Sequence, residues 1–398
     1  SLVGSEMCIR DRGMAEVLAA YNCALIADMF GDAPCSQAAL IDENGSPVYL
    51  TPKMDKQEEI YTQAMQYLDD AIADLQKEDP IDPEAQDLLY QGDAEKWLKL
   101  AYGLKARYTM HLLKRSANKD ADMEKVLEYV NNSFESAEEQ AAFDVYDANN
   151  INPLYGFFVA RAGLGASESM RSKLAEYNDP RLSRAFITKQ GTSGKEQAPG
   201  TADNAVYAPN GTPEQGTSKY GTSLFMYSIS APTLLLSYHE LKFLEAEALC
   251  RLERDAKSAL KDAVVAGLLN AENSFTISRK ELGKTLINAA SSITEAEAES
   301  YFDNTIEAKY TAEPLKTTMT QKYFALWGAS GEATESYNDV RRMKGLGENF
   351  IELKNPNSFP LRCPYGNSDT TTNAEVKAAY GNGQYVYSEN VWWAGGSR

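Results

Sequence analysis

Two adjacent stretches decide the fold class of this chain. They read YHELKFLEAEALCRL from Tyr238 to Leu252 and, after a short turn, AKSALKDAVVAGLL from Ala256 to Leu269. Apolar and small residues recur in both at the three- and four-residue spacing of one helix face. They are Leu241, Leu244, Ala248 and Leu252 in the first stretch, and Ala256, Ala259, Leu260, Ala263, Val264, Gly267 and Leu268 in the second. The sequence therefore predicts two consecutive helices, and the small residues let partner helices approach closely.

Apolar stripes of the same period predict helices through most of the chain. They cover Met14–Phe30, Lys53–Lys77, Asp93–Arg115, Met123–Phe134, a helix from Ala231, Thr294–Tyr310, Thr317–Gly328 and Glu332–Met343. Capping boxes are expected at Asp55 with Glu58 and at Thr294 with Glu297. No alternation of strands and helices supports a parallel sheet. The paired helices resemble tetratricopeptide units, so we expect a mainly α fold: a tetratricopeptide-like α-solenoid scaffold with a long irregular, loop-rich insert.

The helical period disappears between residues 149 and 230, where Gly, Pro, Thr, Ser and Asn dominate from Thr188 to Tyr220. Long segments of this kind are usually functional or disordered. We predict one domain over 13–398, divided into a helical scaffold at 13–148, an irregular ligand-face insert at 149–230, a second helical part at 231–344 and an irregular tail at 345–398.

Residues 1–12 are interpreted as an extraneous segment that replaces the natural N-terminus. They contain no apolar core of a signal peptide and do not lead smoothly into the helix expected at Met14. Cys8 is not in a lipobox, and no run of residues approaches the length of an apolar membrane helix.

The composition excludes several classes of function. With 57 acidic and 39 basic residues the net charge is −18, which argues against nucleic acid as a partner. The two histidines, His111 and His239, are too few for a His-rich metal site. The five cysteines contain no C-x-x-C pair, so zinc and redox motifs of that type are absent. No cofactor and no metal-site residue are predicted, and whether a metal ion binds stays open. Whether any of Cys23, Cys35, Cys250 and Cys363 form a disulfide stays open.

Several segments, in the right order, resemble the SusD/RagB family of nutrient-binding outer-membrane lipoproteins, in its branch with a long central insert. The segments are AAYN at 19–22, MFGDAP at 29–34, EIY at 59–61, LDDAIADL at 68–75, AEKWLKLAYGLKAR at 94–107, NDPRL at 178–182, the stretch at 238–252, QKYFALW at 321–327 and YNDVRR at 337–342. Each is weak alone, and the ordered set is fairly specific.

The resemblance implies a protein that binds glycans or other nutrients without catalysis. It implies delivery of that ligand to a SusC-type TonB-dependent barrel in the outer membrane. It also implies a surface-exposed protein held at the outer membrane by a lipid anchor. The signal peptide and lipobox cysteine of that pattern are not in this sequence, so the localisation is inferred from the resemblance alone.

Sugars are bound by aromatic faces together with amides, carboxylates and arginine. The 23 tyrosines, against 13 phenylalanines and four tryptophans, fit that chemistry. The tentative ligand-binding residues are Asn152, Tyr155, Phe157, Phe158, Arg161, Tyr207, Tyr220, Phe225 and Tyr227. The alternative for each aromatic residue is that it packs the insert onto the scaffold. For Tyr207, the polar sequence around it favours exposure, and Tyr207→Ala is expected to leave stability nearly unchanged.

Two other functions compete with glycan binding. The sequence contains no nucleophile elbow, P-loop, Rossmann loop or H-E-x-x-H motif, and so many carboxylates make any acidic pair uninformative. We therefore expect no enzyme. The other alternative is a helical scaffold that binds a protein or peptide and has no affinity for glycans.

Overall fold

The computed structural model of the protein describes residues 9–78, 86–161, 164–190, 195–197, 206–212, 219–282, 286–287, 291–328, 331–355 and 357–398. The chain divides into two compact units. Unit 1 contains Ser1–Ser133, Tyr337–Asn349 and Ser358–Arg398, and unit 2 contains Phe134–Ser336 and Phe350–Asn357. The predicted single domain over 13–398 and the extraneous segment at 1–12 stay predictions.

Helices dominate the described residues, as predicted. In chain order they are α1 (Ile9–Phe30), α2 (Gln57–Leu75), α3 (Ala94–His111), α4 (Lys119–Asn131), α5 (Pro153–Arg161), α6 (Glu168–Glu176), α7 (Arg181–Ala185), α8 (Tyr238–Arg251), α9 (Lys257–Leu282), α10 (Glu295–Tyr301), α11 (Glu307–Ala312), α12 (Pro314–Ala325), α13 (Ala333–Leu346), α14 (Asn367–Thr372) and α15 (Ala374–Tyr380). A π-helical segment, Phe302–Ile306, joins α10 to α11, and short 3₁₀ turns lie at Leu112–Lys114, Ala137–Glu139, Leu224–Tyr227 and Trp392–Ala394.

The strands are short. They are β1 (Ala141–Phe143), β2 (Phe186–Gln190), β3 (Lys195–Gln197), β4 (Thr222–Ser223), β5 (Thr233–Leu236) and β6 (Leu286–Ile287). β1 pairs with β5, and the other four form a sheet in the order β4-β2-β3-β6. In that sheet β3 and β6 run parallel, whereas β2 runs antiparallel to both of its neighbours.

In unit 1 consecutive helices pack against each other from α1 to α4. Small buried residues, among them Ala20 and Ala24 on α1 and Ala64 and Ala71 on α2, allow this close packing. The helices begin and end within a few residues of the predicted positions. α1 starts at Ile9 rather than Met14, and Gly31, with a φ of 80°, ends it as expected.

Two expectations for unit 1 are wrong. By length and composition alone α1 is apolar enough to cross a membrane, and in this structure it packs on α2. The capping box of α2 lies one residue later than predicted, since Lys56 N donates to Glu59 Oε2 at 3.1 Å. Asp55 instead accepts hydrogen bonds from the backbone of Cys35 and Ser36, at 2.9 and 2.7 Å.

Most of the aromatic tail, Ser358–Arg398, also belongs to unit 1 and is more regular than predicted, because it forms α14 and α15. Trp393 near its end is fully buried. Its indole nitrogen donates to Asp28 Oδ1 at 2.9 Å, and its backbone nitrogen donates to Gln57 Oε1 at 3.0 Å. The tail is therefore part of the core of this unit.

In unit 2 the two stretches that decided the fold form α8 and α9, which pack on each other and on α12. Their predicted stripes are buried, including Leu244 and Leu260. A Cβ atom on Gly267 would lie 3.0 Å from Cβ of Ala325, which shows how closely α9 approaches α12. The capping box at Thr294 is confirmed, since Glu297 N donates to Thr294 Oγ1 at 3.3 Å and Thr294 N to Glu297 Oε2 at 2.9 Å.

The predicted helix from Ala231 is wrong over its first residues. α8 begins only at Tyr238, where Ser237 Oγ accepts a hydrogen bond from Glu240 N at 3.1 Å. The residues before it form β5, in which Leu234 and Leu236 alternate with more exposed neighbours. A short apolar run does not distinguish these two structures by its period.

The insert at 149–230 contains more regular structure than predicted. It forms α5, α6, α7 and three strands. These helices have five to nine residues, too few to produce a long apolar stripe in the sequence. The glycine-rich parts at 191–194, 198–205 and 213–218 lie outside the described residues.

Candidate ligand-binding site

A cleft of about 460 Å³ lies in unit 2 between α8, α9, α10 and the 3₁₀ turn at Ala137–Glu139. We call it the α9 cleft. It is lined by Ala137, Gln140, Tyr238, His239, Lys261, Asp262, Val265, Ala266, Leu269, Asn270, Asn273, Glu295 and Glu299. Its volume is within the range of cavities that bind small molecules.

One face of α9 supplies the centre of the cleft. The lining residues of this helix include Asp262, Val265, Ala266, Leu269, Asn270 and Asn273, which recur at helical spacing. Val265, Ala266 and Leu269 are half-buried and provide an apolar floor. The opposite face of α9 carries the stripe that the sequence identified, and it lies in the hydrophobic core. One helix therefore serves both the core and the cleft.

Polar groups surround this floor. Gln140 is held in place because its Oε1 accepts a hydrogen bond from Tyr238 N at 3.3 Å. Lys261 forms an ion pair with Asp303 at 2.9 Å. Partial burial raises the pKa of the Tyr238 phenol, which therefore stays neutral and able to donate a hydrogen bond at neutral pH. The cleft thus offers amides, carboxylates and a neutral phenol around an apolar surface.

His239 forms part of the wall but brings no charge to it. Its side chain is buried, and burial lowers its pKa to about 4, with the positive charges of Arg181 and Lys322 acting in the same direction. The imidazole is therefore neutral near pH 7. Its Nε2 lies 3.7 Å from Glu332 Oε2, which is beyond normal hydrogen-bonding distance.

The predicted residues of the first group lie at α5. Asn152 is buried and caps this helix, because its Oδ1 accepts from Leu154 N at 2.8 Å while its Nδ2 donates to Ala231 O at 2.8 Å. Phe158 is also buried and packs edge-to-face on Tyr227, with ring centroids 5.0 Å apart. Asn152, Phe158 and Tyr227 thus attach α5 to the rest of unit 2.

Three other members of that group keep surface open to water. The Phe157 side chain is 52% exposed, Arg161 is exposed and Tyr155 is half-buried. All three are on a helix, whereas the sequence placed them in irregular structure. We call them the α5 face. Whether they contact a ligand stays a prediction.

In the second group, the predicted exposure of Tyr207 is wrong. Tyr207, Tyr220 and Phe225 are all buried, with Tyr207 only 3% exposed. The Tyr207 ring packs on Phe186 at 5.3 Å between centroids, and burial raises its pKa to about 12. A Cβ on Gly221 would lie 2.7 Å from the same ring. The polar residues next to Tyr207 in the sequence do not expose it, because residues distant in sequence surround its ring in space.

Phe225 lies in the same aromatic core. Its ring centroid is 4.7 Å from that of Phe275 and 5.2 Å from that of Trp327, whose ring also stacks on Phe186 at 5.1 Å. For these aromatics the packing alternative, which the sequence left open, describes the structure.

The α9 cleft was not identified from the sequence. Its signal was present, since Asp262, Asn270 and Asn273 lie on a second face of the predicted helix with apolar residues between them. Amphipathic analysis assigns such a face to solvent. Only the position of α10 and of the turn at 137–139 makes a cleft of it.

The family model SusD-like_2, described as "Starch-binding associating with outer membrane", matches residues 5–365. The chain belongs to this SusD-like family. The predicted SusD/RagB resemblance and the mainly α fold are therefore confirmed. The family description names binding and association with the outer membrane, and it names no reaction.

Solved structures agree with this SusD-like assignment. A SusD/RagB family protein from Bacteroides thetaiotaomicron is 66% identical, with a TM-score of 0.92 over 98% of this chain and 81% of that chain. A chitin-binding protein is 20% identical, with a TM-score of 0.73 over 98% and 82% of the two chains. A SusD homologue from Bacteroides fragilis is 19% identical, with a TM-score of 0.73 over 98% and 86%. The last two show the fold alone. No protein with a curated description matches the chain.

Proposed function

We propose that this SusD-like protein is a non-catalytic glycan-binding component of an outer-membrane uptake system. The observation that carries the proposal is the α9 cleft, which has an apolar floor and a rim of amides and carboxylates. A sugar ring has the matching surfaces, because its C–H faces are apolar and its edge carries hydroxyl groups. Pockets of mostly apolar surface with a few placed polar groups are the usual form of small-molecule sites.

Each part of the cleft has a role in this proposal. The floor at Val265, Ala266 and Leu269 covers a sugar face, with Tyr238 beside it. The amides of Asn270 and Asn273 can each donate to one hydroxyl oxygen and accept from another. Glu295 and Glu299 are exposed at the rim, where they accept hydrogen bonds from hydroxyls.

The α5 face is proposed as a second contact for a longer glycan. Phe157 and Tyr155 offer ring surface there, and Arg161 follows at the end of the helix. Of the nine residues predicted from the sequence, these three are the ones that we retain as ligand contacts.

A calorimetric titration against a panel of soluble starch, chitin and plant-cell-wall oligosaccharides tests the glycan proposal. The double variant Asn270→Ala/Asn273→Ala should lose about thirtyfold in affinity, since each amide contributes on the order of 1 kcal/mol in hydrogen bonds. The matched control is Asn304→Ala, an exposed amide outside the cleft. Equal affinity of the double variant and the control would refute the site, and no binding to any glycan would refute the function.

A protein partner is favoured by a separate observation in unit 1. Leu50 is 86% exposed, and Ile41 and Val48 are exposed beside it on a loop closed by a bridge between Ile41 and Pro47. A groove of about 240 Å³ that includes Leu50 lies in the same unit. Clustered exposed apolar side chains are typical of interaction surfaces. We propose that this loop contacts a SusC-type TonB-dependent barrel, which receives the glycan.

Co-purification with the barrel tests this second part of the proposal. Leu50→Glu should abolish capture of the barrel while glycan affinity stays unchanged, because Leu50 is not part of unit 2. Capture that is unaffected by the charge would refute the loop as the contact. If the barrel is captured and no glycan binds, the alternative of a protein-binding scaffold is correct.

We further propose that a lipid anchor holds the protein at the cell surface, as the family resemblance implies.

A further inference from the structure

Two cysteine side chains meet in unit 1. Cys23 lies on α1 and Cys35 lies in the loop that follows this helix. Their Sγ atoms are 3.3 Å apart, and both residues are half-buried. A small reagent in solution can therefore reach a thiol that already has a second thiol beside it.

The loop holds Cys35 in this position through several contacts. Gly31 turns the chain back after α1, with its nitrogen donating to Ala27 O at 2.8 Å. Ala33 then forms a two-bond bridge with Asp55, at 3.1 and 3.0 Å. The Asp55 carboxylate accepts hydrogen bonds from Cys35 N at 2.9 Å and from Ser36 N at 2.7 Å. The Ser36 hydroxyl donates to it as well, at 2.8 Å. Cys35 is thus fixed by hydrogen bonds to the Asp55 carboxylate that do not involve Cys23.

We propose that Cys23 and Cys35 are a disulfide-forming pair, oxidised by a low-molecular-weight disulfide, and that the bond fastens the loop after α1 to that helix. A disulfide bond is about 2.05 Å long, so the sulphur atoms need to approach by only about 1.2 Å.

The order of the two thiol–disulfide exchange steps follows from the different pKa values of the two thiols. The two thiols share a hydrogen bond in which either sulphur can be the donor, and this contact lowers the pKa of Cys23 and raises that of Cys35. Cys23 as thiolate attacks one sulphur of the small disulfide, forms a mixed disulfide and releases one thiol. Cys35, after losing its proton, attacks the Cys23 sulphur and releases the second thiol. Two cysteine thiols and one small disulfide thus become one protein disulfide and two small thiols.

The crosslink acts on the groove of unit 1. Ile26 and Phe30 on α1, and Ala33 and Pro34 in the loop, line this groove together with Leu50. The disulfide would join α1 to the loop after it, which are the two parts of the segment that carries these groove residues. Since a crosslink restricts the unfolded and locally opened states, the oxidised protein should keep this groove in one shape.

Asp-N digestion after oxidation tests the pair directly. The folded protein is incubated with oxidised glutathione, the remaining thiols are alkylated, and the protein is digested. Asp28 and Asp32 lie between the two cysteines, so cleavage before them separates Cys23 from Cys35 unless a disulfide joins the fragments. We expect a linked fragment pair that has lost two hydrogen atoms and that separates on reduction.

Variants make the result specific. In Cys35→Ser the mixed disulfide with glutathione should persist on Cys23, because the second thiol is absent. Cys250→Ser is the matched control and should behave like the wild type, since Cys250 Sγ lies beside the Thr318 hydroxyl at 3.6 Å. Alkylation of both Cys23 and Cys35, or glutathione on each without linkage, would overturn the proposal. So would linkage of either residue mainly to another cysteine.

Hydrogen exchange supplies a readout that does not depend on chemical trapping. Oxidation should slow exchange of the amides at 31–36 several-fold in the wild type and in Cys250→Ser. It should leave the rates in Cys35→Ser unchanged. Equal rates in oxidised and reduced wild type would show that the bond does not restrain the loop. None of these outcomes depends on glycan binding.

Discussion

The α9 cleft and the insert around Tyr207 both belong to unit 2, and both contain residue types that bind sugars. The cleft is open to solvent, whereas the aromatic side chains of the insert are buried. The cleft keeps Asn273 exposed and Asn270 half-buried, beside a half-buried apolar floor. The insert directs Tyr207 and Phe225 into an aromatic core with Phe186 and Trp327. The comparison teaches that the polarity of neighbouring residues in sequence is a poor guide to exposure when a segment wraps around a core.

The largest effect that tests this comparison is on stability. Tyr207→Ala should lower the free energy of unfolding by about 3 kcal/mol, because it removes a buried ring from the aromatic core. This reverses the sequence-based expectation for the same variant. Urea denaturation measures the change. Tyr207→Phe is the control, and its free energy of unfolding should remain close to that of the wild type. A wild-type denaturation midpoint for the alanine variant would mean that Tyr207 is not part of the core.

Acidification should lower the free energy of unfolding by a similar amount, because His239 is buried in the wall of the cleft. Its pKa is about 4 in the folded protein and about 6.5 in the unfolded chain, so the unfolded chain takes up the proton first as the pH falls. This contribution to stability is complete above pH 6.5 and is lost between pH 6.5 and about 4, by roughly 3 kcal/mol at most.

Denaturation curves across that pH range check the histidine effect. His239→Gln should remove the part of the pH dependence that this residue causes, whatever its effect on stability at neutral pH. If the variant and the wild type lose stability in parallel as the pH falls, His239 is not the group that takes up the proton.

A smaller effect should separate the cleft from the core in binding. Asn270→Ala/Asn273→Ala should weaken glycan binding about thirtyfold, while its melting temperature stays within a degree or two of the wild type, because substitutions outside the core rarely change stability by more than ~0.5 kcal/mol. Calorimetry and thermal denaturation of the same samples check both parts. A large loss of stability without a change in affinity would mean that the amides support the fold and not a ligand.

The smallest effect concerns the α5 face. Phe157→Ala should weaken binding of long glycans a few-fold and leave short ones unaffected, since the ring is exposed and its contact adds on the order of 0.5–1 kcal/mol. Phe158→Ala, one residue further and buried, is the contrasting variant and should mainly lower stability. Equal affinities of Phe157→Ala and the wild type for a glycan ladder would remove α5 from the site.

Much of the fold could be predicted from local patterns. The stripes of α8 and α9, the stop at Gly31 and the capping box at Thr294 all depend on residues a few positions apart, and each is present in the structure. The errors occur where residues distant in sequence determine the local structure. Leu234 pairs in a strand with β1, and Asp55 turns to the loop at Cys35 and Ser36 instead of capping α2.

The candidate site was less predictable for the same reason. Tyr155, Phe157 and Arg161 stay predicted contacts that rest on their place in the irregular segment and on their chemistry, and nothing in their sequence shows which ring faces water. The α9 cleft exists only because α8, α10 and the turn at 137–139 enclose one face of a helix.

The sequence by itself determined the helical scaffold and, through an ordered set of short motifs, the SusD-like family. Helix stripes, caps and motifs are encoded by neighbours along the chain, so they can be read without coordinates. Only the tertiary structure decided that Tyr207 is core, that Asn270 and Asn273 border a cleft and that Cys23 meets Cys35. Burial and side-chain proximity depend on which distant segments pack together, and a single sequence does not contain that information in local form.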